Sequence, residues 1–177
     1  MKVWRCDGAG SKANDGTPND NVRWIHFATI EGHTRSIRDV KFAPLSTCSS
    51  LILATASFDG MVMIWECQHT DDMMDSGIDP DDENNLQVFE PIAQLEGHEN
   101  EVKHIAWNQT GSLLASCGRD KTVWVWECFL PGTMGGGAVM SEQQDDGDFE
   151  CLAVLQGHDG EKLFGCCSLN QEYDMKY

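Results

Sequence analysis

The sequence predicts an all-β chain built from repeated four-stranded antiparallel sheets. Two stretches carry one pattern, in which a Gly-His pair is followed by short apolar segments, an aspartate and a Trp-Glu pair. The first copy runs from Gly32-His33 to Trp65-Glu66 and the second from Gly97-His98 to Trp126-Glu127. In both copies the aspartate lies six positions before the tryptophan. Apolar residues alternate with a period of two near each tryptophan, which favours strands over helices.

This spacing is typical of a WD repeat, the unit that forms one blade of a β-propeller. It predicts a partial WD-repeat β-propeller over residues 1–158, with complete repeats at about 32–66 and 97–127 and half-repeats at both ends. Residues 159–177 do not continue the repeat and are predicted to be a separate tail, the product of an altered splice, an altered reading frame or a truncation. Because a propeller closes on about four to eight blades, two complete repeats are not expected to close a ring.

Each repeat is predicted to contain three strands, a, b and c, followed by an outer strand d. In the first repeat these strands are 37–42, 51–57, 61–66 and 86–95. In the second they are 102–107, 113–117, a strand c that ends at Trp126-Glu127, and 149–155. The chain opens in a strand c at 1–4, followed by a strand d at 22–30. The stretches 68–85 and 131–147 are insertions between strands c and d, and the first of them is acidic enough to predict a solvated loop.

Composition limits the possible partners and the cellular compartment. The formal net charge of −17 over 177 residues argues against nucleic acid and anionic membranes, because both would repel the chain. No apolar run is long enough to span a bilayer, and the N-terminus lacks the apolar region of a secretory signal. The eight cysteines form no CxxC pair, and several lie on or beside predicted strands as small apolar residues. We therefore expect a cytoplasmic protein without a metal site, a cofactor or catalytic residues.

Four polar or aromatic positions recur in both repeats and are predicted to form a buried hydrogen-bonded chain in each. They are the histidine of the Gly-His pair, a hydroxyl residue on strand b, the turn aspartate and the tryptophan of strand c. Burial of such groups is tolerable only when each has a partner, so we interpret them as structural rather than catalytic. The first chain comprises His33, Thr55, Asp59 and Trp65, and the second comprises His98, Ser116, Asp120 and Trp126.

Three basic residues are predicted to bind a partner. Successive strand connections alternate between the two rims of a blade, so the Gly-His connections and the turns at Phe58-Asp59 and Arg119-Asp120 share one rim, called the Gly-His rim below. Arg35, Arg119 and Lys121 belong to it, and arginine can bind a carboxylate through two parallel hydrogen bonds. The expected ligand is a carboxylate or an acidic peptide. The alternative for Arg119 is a solvated arginine, or one that pairs with Glu99 or Glu101.

Parts of the sequence match a narrower group of proteins. The strings LEGHENEVK (95–103) and RDKTVWVWE (119–127), with HTRSIR (33–38) and ATASFDG (54–60), resemble the WD-repeat scaffold of cytosolic iron–sulfur protein assembly. The resemblance covers residues 1–158 and implies a non-catalytic adaptor, cytoplasmic and also nuclear. Its implied partners are a small cluster-handling subunit, a large helical-repeat adaptor and the apoproteins that receive clusters. It also implies that Arg119, the arginine of the RDK turn, is linked to function.

Three other interpretations stay open at this point. One is a generic WD-repeat adaptor, such as a substrate receptor of a ubiquitin ligase, which the RDK and HENEVK strings disfavour. Another is an inactive fragment. The third is an enzyme or metalloprotein that uses the cysteines and histidines, and the positions of these residues within the repeats argue against it.

Overall fold

Every regular element in the computed structural model is a strand, over the described residues 1–7, 23–44, 50–67, 86–130 and 148–157. Within those ranges no helix is long and apolar enough to cross a membrane. The all-β prediction is confirmed. The two insertions and the tail that the sequence analysis singled out lie outside the described residues. The strands are β1 (Lys2–Asp7), β2 (Arg23–Thr29), β3 (Ile37–Phe42), β4 (Leu51–Ser57), β5 (Val62–Cys67), β6 (Glu90–Leu95), β7 (Val102–Trp107), β8 (Leu113–Gly118), β9 (Thr122–Phe129) and β10 (Asp148–Gln156).

The chain divides into two compact units, and the first contains β1 and β2. These strands pair antiparallel, from Lys2 opposite Thr29 to Asp7 opposite Arg23. The other edge of β2 is also engaged, because the Gln87 N–H donates to the Phe27 carbonyl at 2.8 Å. Residues 86–89 also belong to this unit, and the outer strand predicted at 86–95 begins only at Glu90.

The second unit contains two four-stranded antiparallel sheets, each a simple meander. Their strand orders are β3-β4-β5-β6 and β7-β8-β9-β10. Strands β3, β4 and β7 have the bounds that the apolar alternation predicts, and β9 continues to Phe129. The register shifts by one residue near the start of both β3 and β7, between Ile37 and Asp39 and between Val102 and His104. A bulge at the same place in both sheets shows that the two repeats have the same backbone plan.

The core of the second unit lies between its two sheets. Small and branched side chains of β4 and β5 pack against larger ones of β7, β8 and β9, which include Ile105, Leu114 and Trp126. Fully burying an apolar side chain of this size contributes about 1.5–3 kcal/mol, so this packing is the main force holding the sheets together. The first sheet supplies Ile52, Ala54, Ala56, Val62, Ile64 and Leu95.

Polar contacts also join the two sheets. One carboxylate oxygen of Asp39 accepts the Ile105 N–H at 3.0 Å and lies against the His104 ring. On the Gly-His rim, the Lys103 ammonium lies 4.2 Å from the centre of the Phe58 ring, a cation–π contact. These contacts connect residues of adjacent repeats and fix the position of one sheet against the other.

Candidate partner-binding rim

The structure brings together the four predicted residues of the first hydrogen-bonded chain. His33 Nδ1 lies 2.9 Å from Asp59 Oδ2, and His33 Nε2 lies 2.7 Å from the Thr55 hydroxyl. Trp65 donates its indole N–H to the same hydroxyl at 2.9 Å. An ionised aspartate only accepts hydrogen bonds, so the imidazole proton is placed on Nδ1 and Nε2 accepts from threonine. This hydrogen-bonded chain therefore links the Gly-His connection, β4, the β4–β5 turn and β5.

The second sheet repeats this arrangement with serine in place of threonine. His98 Nδ1 lies 2.8 Å from Asp120 Oδ2, and His98 Nε2 lies 2.9 Å from the Ser116 hydroxyl. Trp126 donates to that hydroxyl at 3.0 Å. Gly118 is required here, because a Cβ at this position would lie 2.6 Å from His98 Nδ1. Both imidazole nitrogens are engaged, which supports a structural rather than a catalytic role for this histidine.

The turn aspartate also fixes the backbone of the rim. The two oxygens of Asp120 accept the N–H groups of Glu99 and Thr122, both at 3.0 Å, and the Thr122 hydroxyl at 2.7 Å. Burial alone would raise the pKa of Asp120, but the hydrogen bonds from Thr122 and His98 outweigh it and the pKa lies below its usual value. Burial lowers the pKa of His98, and its contact with Asp120 only partly offsets this. The pair is therefore a neutral imidazole and an ionised carboxylate at neutral pH.

Arg35 supports the adjacent turn. Its guanidinium donates to the Phe58 carbonyl at 2.8 Å, although the residue is exposed. The Phe58 N–H in turn donates to the Ser36 carbonyl at 3.0 Å. One part of the Arg35 guanidinium thus holds the β4–β5 turn against the Gly-His connection, a contact that the sequence analysis did not foresee.

Arg119 occupies the corresponding turn of the second sheet, between β8 and β9. Its backbone N–H donates to the Glu101 carbonyl at 2.8 Å, and its guanidinium lies 3.5 Å from the Glu101 carboxylate. Desolvation would raise the pKa of Glu101, but the charges of Arg119 and Lys103, together with hydrogen bonds to the carboxylate, lower that pKa below its usual value. The Arg119 side chain remains 47% exposed, so the pair lies at the surface. Glu101, one of the two acids named as alternatives from the sequence, therefore contacts Arg119.

Lys121 lies at the end of the same turn with a φ of 68°, in the left-handed region. The matching residue of the first sheet is Gly60, with a φ of 88°. Lys121 lines a cleft of about 350 Å³ together with Glu99, Trp124 and Val154. The Gly-His rim therefore presents charges of both signs around Lys121 and Arg119, rather than a purely basic patch.

Comparison with known proteins agrees with this geometry. The model of the family described as "WD domain, G-beta repeat" matches residues 24–66 and 89–127. The matched segments include every residue of both hydrogen-bonded chains. These two segments of the chain are WD repeats.

Relatives of this WD-repeat chain carry a shared name, "Probable cytosolic iron-sulfur protein assembly protein 1". The protein of Kluyveromyces lactis is 40% identical over 90% of this chain and 56% of its own length. That of Vanderwaltozyma polyspora is 41% identical over 64% of this chain and 31% of its own length, and that of Scheffersomyces stipitis is 39% identical over 72% and 44%. The resemblance stated from the sequence is thereby confirmed. The WD-repeat chain spans between about a third and somewhat over half the length of these relatives.

Some contacts of the rim could not be read from the WD-repeat pattern. Gly97 is the glycine of the second Gly-His pair. A larger residue does not fit there, since a Cβ at this position would lie 2.5 Å from the Trp124 indole ring. The contact between Lys103 and Phe58 crosses from one repeat to the next. Among the described residues no group of three or more His, Cys, Asp or Glu side chains is arranged to hold a metal ion.

Proposed function

We propose that this chain is a non-catalytic protein-interaction scaffold of cytosolic iron–sulfur protein assembly. The observation that carries the proposal is the Kluyveromyces lactis relative, which is 40% identical over 90% of this chain and is named for that process. The two hydrogen-bonded chains support it, because their histidine, hydroxyl and aspartate side chains, the types most suited to catalysis, bind one another and stabilise the sheets. The scaffold acts in the cytoplasm, and its clients are cytosolic and nuclear apoproteins.

The proposed partners are a small cluster-handling subunit, a large helical-repeat adaptor and the apoproteins that receive iron–sulfur clusters. The proposed contact surface is the Gly-His rim around Arg119, Lys121 and Arg35. A guanidinium has five N–H donors, and the 3.5 Å contact with Glu101 engages one nitrogen of Arg119 at long range. A partner carboxylate can accept two parallel hydrogen bonds from a guanidinium of this kind.

Arg119 is the main contributor in the proposal, because the resemblance at the RDK turn links this arginine to function and its side chain is 47% exposed. A hydrogen bond to a charged group contributes about 1.5–3 kcal/mol, which corresponds to roughly a tenfold to hundredfold change in affinity. Lys121 adds a second positive charge at the adjacent cleft.

The test is Arg119→Glu in the full chain, with Arg23→Glu as the matched control. Arg23 is also exposed and undergoes the same change of charge, but it lies on β2 in the other unit. Affinity for each assembly subunit and for an apoprotein is measured by titration, alongside the melting temperature. We expect Arg119→Glu to weaken binding by about tenfold or more at unchanged melting temperature, and Arg23→Glu to leave it within about twofold. Equal binding by both variants and the parent would contradict the assignment.

A further inference from the structure

Outer strands expose backbone N–H and C=O groups that can pair with another chain, and proteins commonly block them. Each of the three sheets in the described residues has two edge strands, and the edge strand that comes last in the sequence of each sheet, called the outer strand here, is β2, β6 or β10. The edge of β2 is occupied by Gln87, which donates to the Phe27 carbonyl. Strand β6 contains Pro91, which has no N–H to donate. Two of the three outer strands are therefore blocked, each by a different device.

Strand β10 lacks both devices. It spans nine residues, Asp148–Gln156, without a proline, and among the described strands it pairs only with β9. Its register against β9 shifts between Cys151 and Ala153, so that Leu152 lies at a β-bulge. Its outer edge makes no backbone hydrogen bond within the described part of the chain. Three apolar side chains on it remain open to solvent, with Leu152 58%, Val154 39% and Leu155 55% exposed. A long apolar edge of this kind is a template for a further strand.

We propose that the outer edge of β10 binds an extended segment of a partner protein, which adds to the sheet as a fifth strand. In this mode the backbone hydrogen bonds supply affinity and alternate side chains supply specificity. Antiparallel addition is favoured, because antiparallel ladders are slightly more stable per residue than parallel ones. Val154 of this strand also lines the cleft beside Lys121, but Arg119 is not part of the edge, so the proposal does not depend on binding by Arg119.

The side chains of β10 define the chemistry of the partner segment. Its N-terminal end carries Asp148 and Glu150, and its C-terminal half carries Leu152, Val154 and Leu155. An antiparallel partner would therefore place apolar residues first, opposite the apolar half, and lysine or arginine last, opposite the two carboxylates. The formal net charge of −17 also favours a partner that carries positive charge.

A second copy of the chain fits this edge less well. In a two-fold pairing centred on Leu152, the Glu150 carboxylate of each copy would lie opposite Val154 of the other. Two chains with a net charge of −17 would also repel each other. The edge is therefore assigned to a different protein.

The test uses a synthetic probe, acetyl-Val-Thr-Val-Thr-Val-Thr-Lys-Thr-Lys-amide, with a fluorescent label. Its controls are the same composition in reversed order and an alternately N-methylated form, which cannot donate hydrogen bonds along one edge. Binding to the full chain is followed by anisotropy, and amide hydrogen exchange locates the bound probe. We expect the amides of β10 to exchange at least about tenfold more slowly with the probe, and the two control peptides to bind about tenfold or more weakly.

Variants of the chain complete the test. Leu152→Lys places a charge on an exposed position of the edge, whereas Val88→Lys makes the same change at a side chain that is 69% exposed in the other unit. Loss of binding in Leu152→Lys alone, with unchanged melting temperatures, supports the proposal. Equal binding by the N-methylated peptide, or protection outside β10, overturns it. Protection of β10 that appears with rising chain concentration and no peptide overturns it in favour of a second copy.

Discussion

Removing the Ser116 hydroxyl should destabilise the chain far more than the loss of one surface hydroxyl. Ser116 is fully buried, accepts the Trp126 indole N–H at 3.0 Å and lies 2.9 Å from His98 Nε2. Ser116→Ala leaves both groups without their partner. Each orphaned buried polar group costs about 1–3 kcal/mol, so we expect a loss of roughly 2–4 kcal/mol in the free energy of unfolding.

Urea unfolding at low micromolar concentration, followed by circular dichroism, measures this loss. With an m value of about 2 kcal/mol/M, the midpoint should fall by about 1–2 M. Ser112→Ala is the matched control, because Ser112 is exposed and its hydroxyl contacts only the turn residues Asn108 and Thr110. Ser116→Thr keeps a hydroxyl, as Thr55 does in the first sheet, and should recover most of the stability. A midpoint for Ser116→Ala equal to that of Ser112→Ala would refute the argument that the buried chain stabilises the sheet.

The remaining predictions concern pH and two backbone positions. The pKa of His98 is lowered from 6.5 and that of Asp120 from 3.8, so the unfolded chain binds more protons than the folded one in both ranges. Stability is therefore full above pH 6.5 and falls as pH drops below 6.5 and again below 3.8; a urea midpoint that is flat from pH 7 to 5 would contradict the His98 part. Lys121 has a positive φ, which glycine adopts more easily than lysine. Lys121→Gly should therefore raise the free energy of unfolding by about 0.5–1 kcal/mol. A lower urea midpoint would show instead that the lysine side chain stabilises the turn. Gly97→Ala puts a Cβ 2.5 Å from the Trp124 ring and should lower the free energy of unfolding by about 1–3 kcal/mol. The urea midpoint should fall and the tryptophan fluorescence emission should change. A midpoint and an emission equal to those of the parent would show that the ring moves aside freely.

Much of the fold could be predicted because the WD-repeat pattern specifies both strand periodicity and the positions of polar residues. The predicted bounds of β3, β4 and β7 match, and the spacing of His98, Ser116 and Asp120 put three groups together that are far apart in the sequence. Burial explains this success, since a polar group inside a sheet has few possible partners.

The surface of the Gly-His rim was harder to predict. Glu99 and Glu101 were both possible partners of Arg119 from the sequence, and the structure shows the contact with Glu101. The Arg35 contact with the Phe58 carbonyl depends on a backbone group that every residue type carries. Long side chains at a surface have many conformations of similar energy, so their contacts leave little signal in residue spacing. Binding by Arg119, Lys121 and Arg35 stays a proposal for this reason.

The bond from Ile105 to Asp39 bears on how such a chain can grow by duplication. Asp39 belongs to one repeat, but its carboxylate satisfies an amide of the next, and Gly60 leaves room for the carbonyl of His98. Each repeat thus carries residues whose use lies in its neighbour. A repeat copied or transplanted alone would gain its own hydrogen-bonded chain but lose half of its junction. A duplicated repeat therefore needs a neighbour that supplies the matching half of the junction, in addition to its own hydrogen-bonded chain.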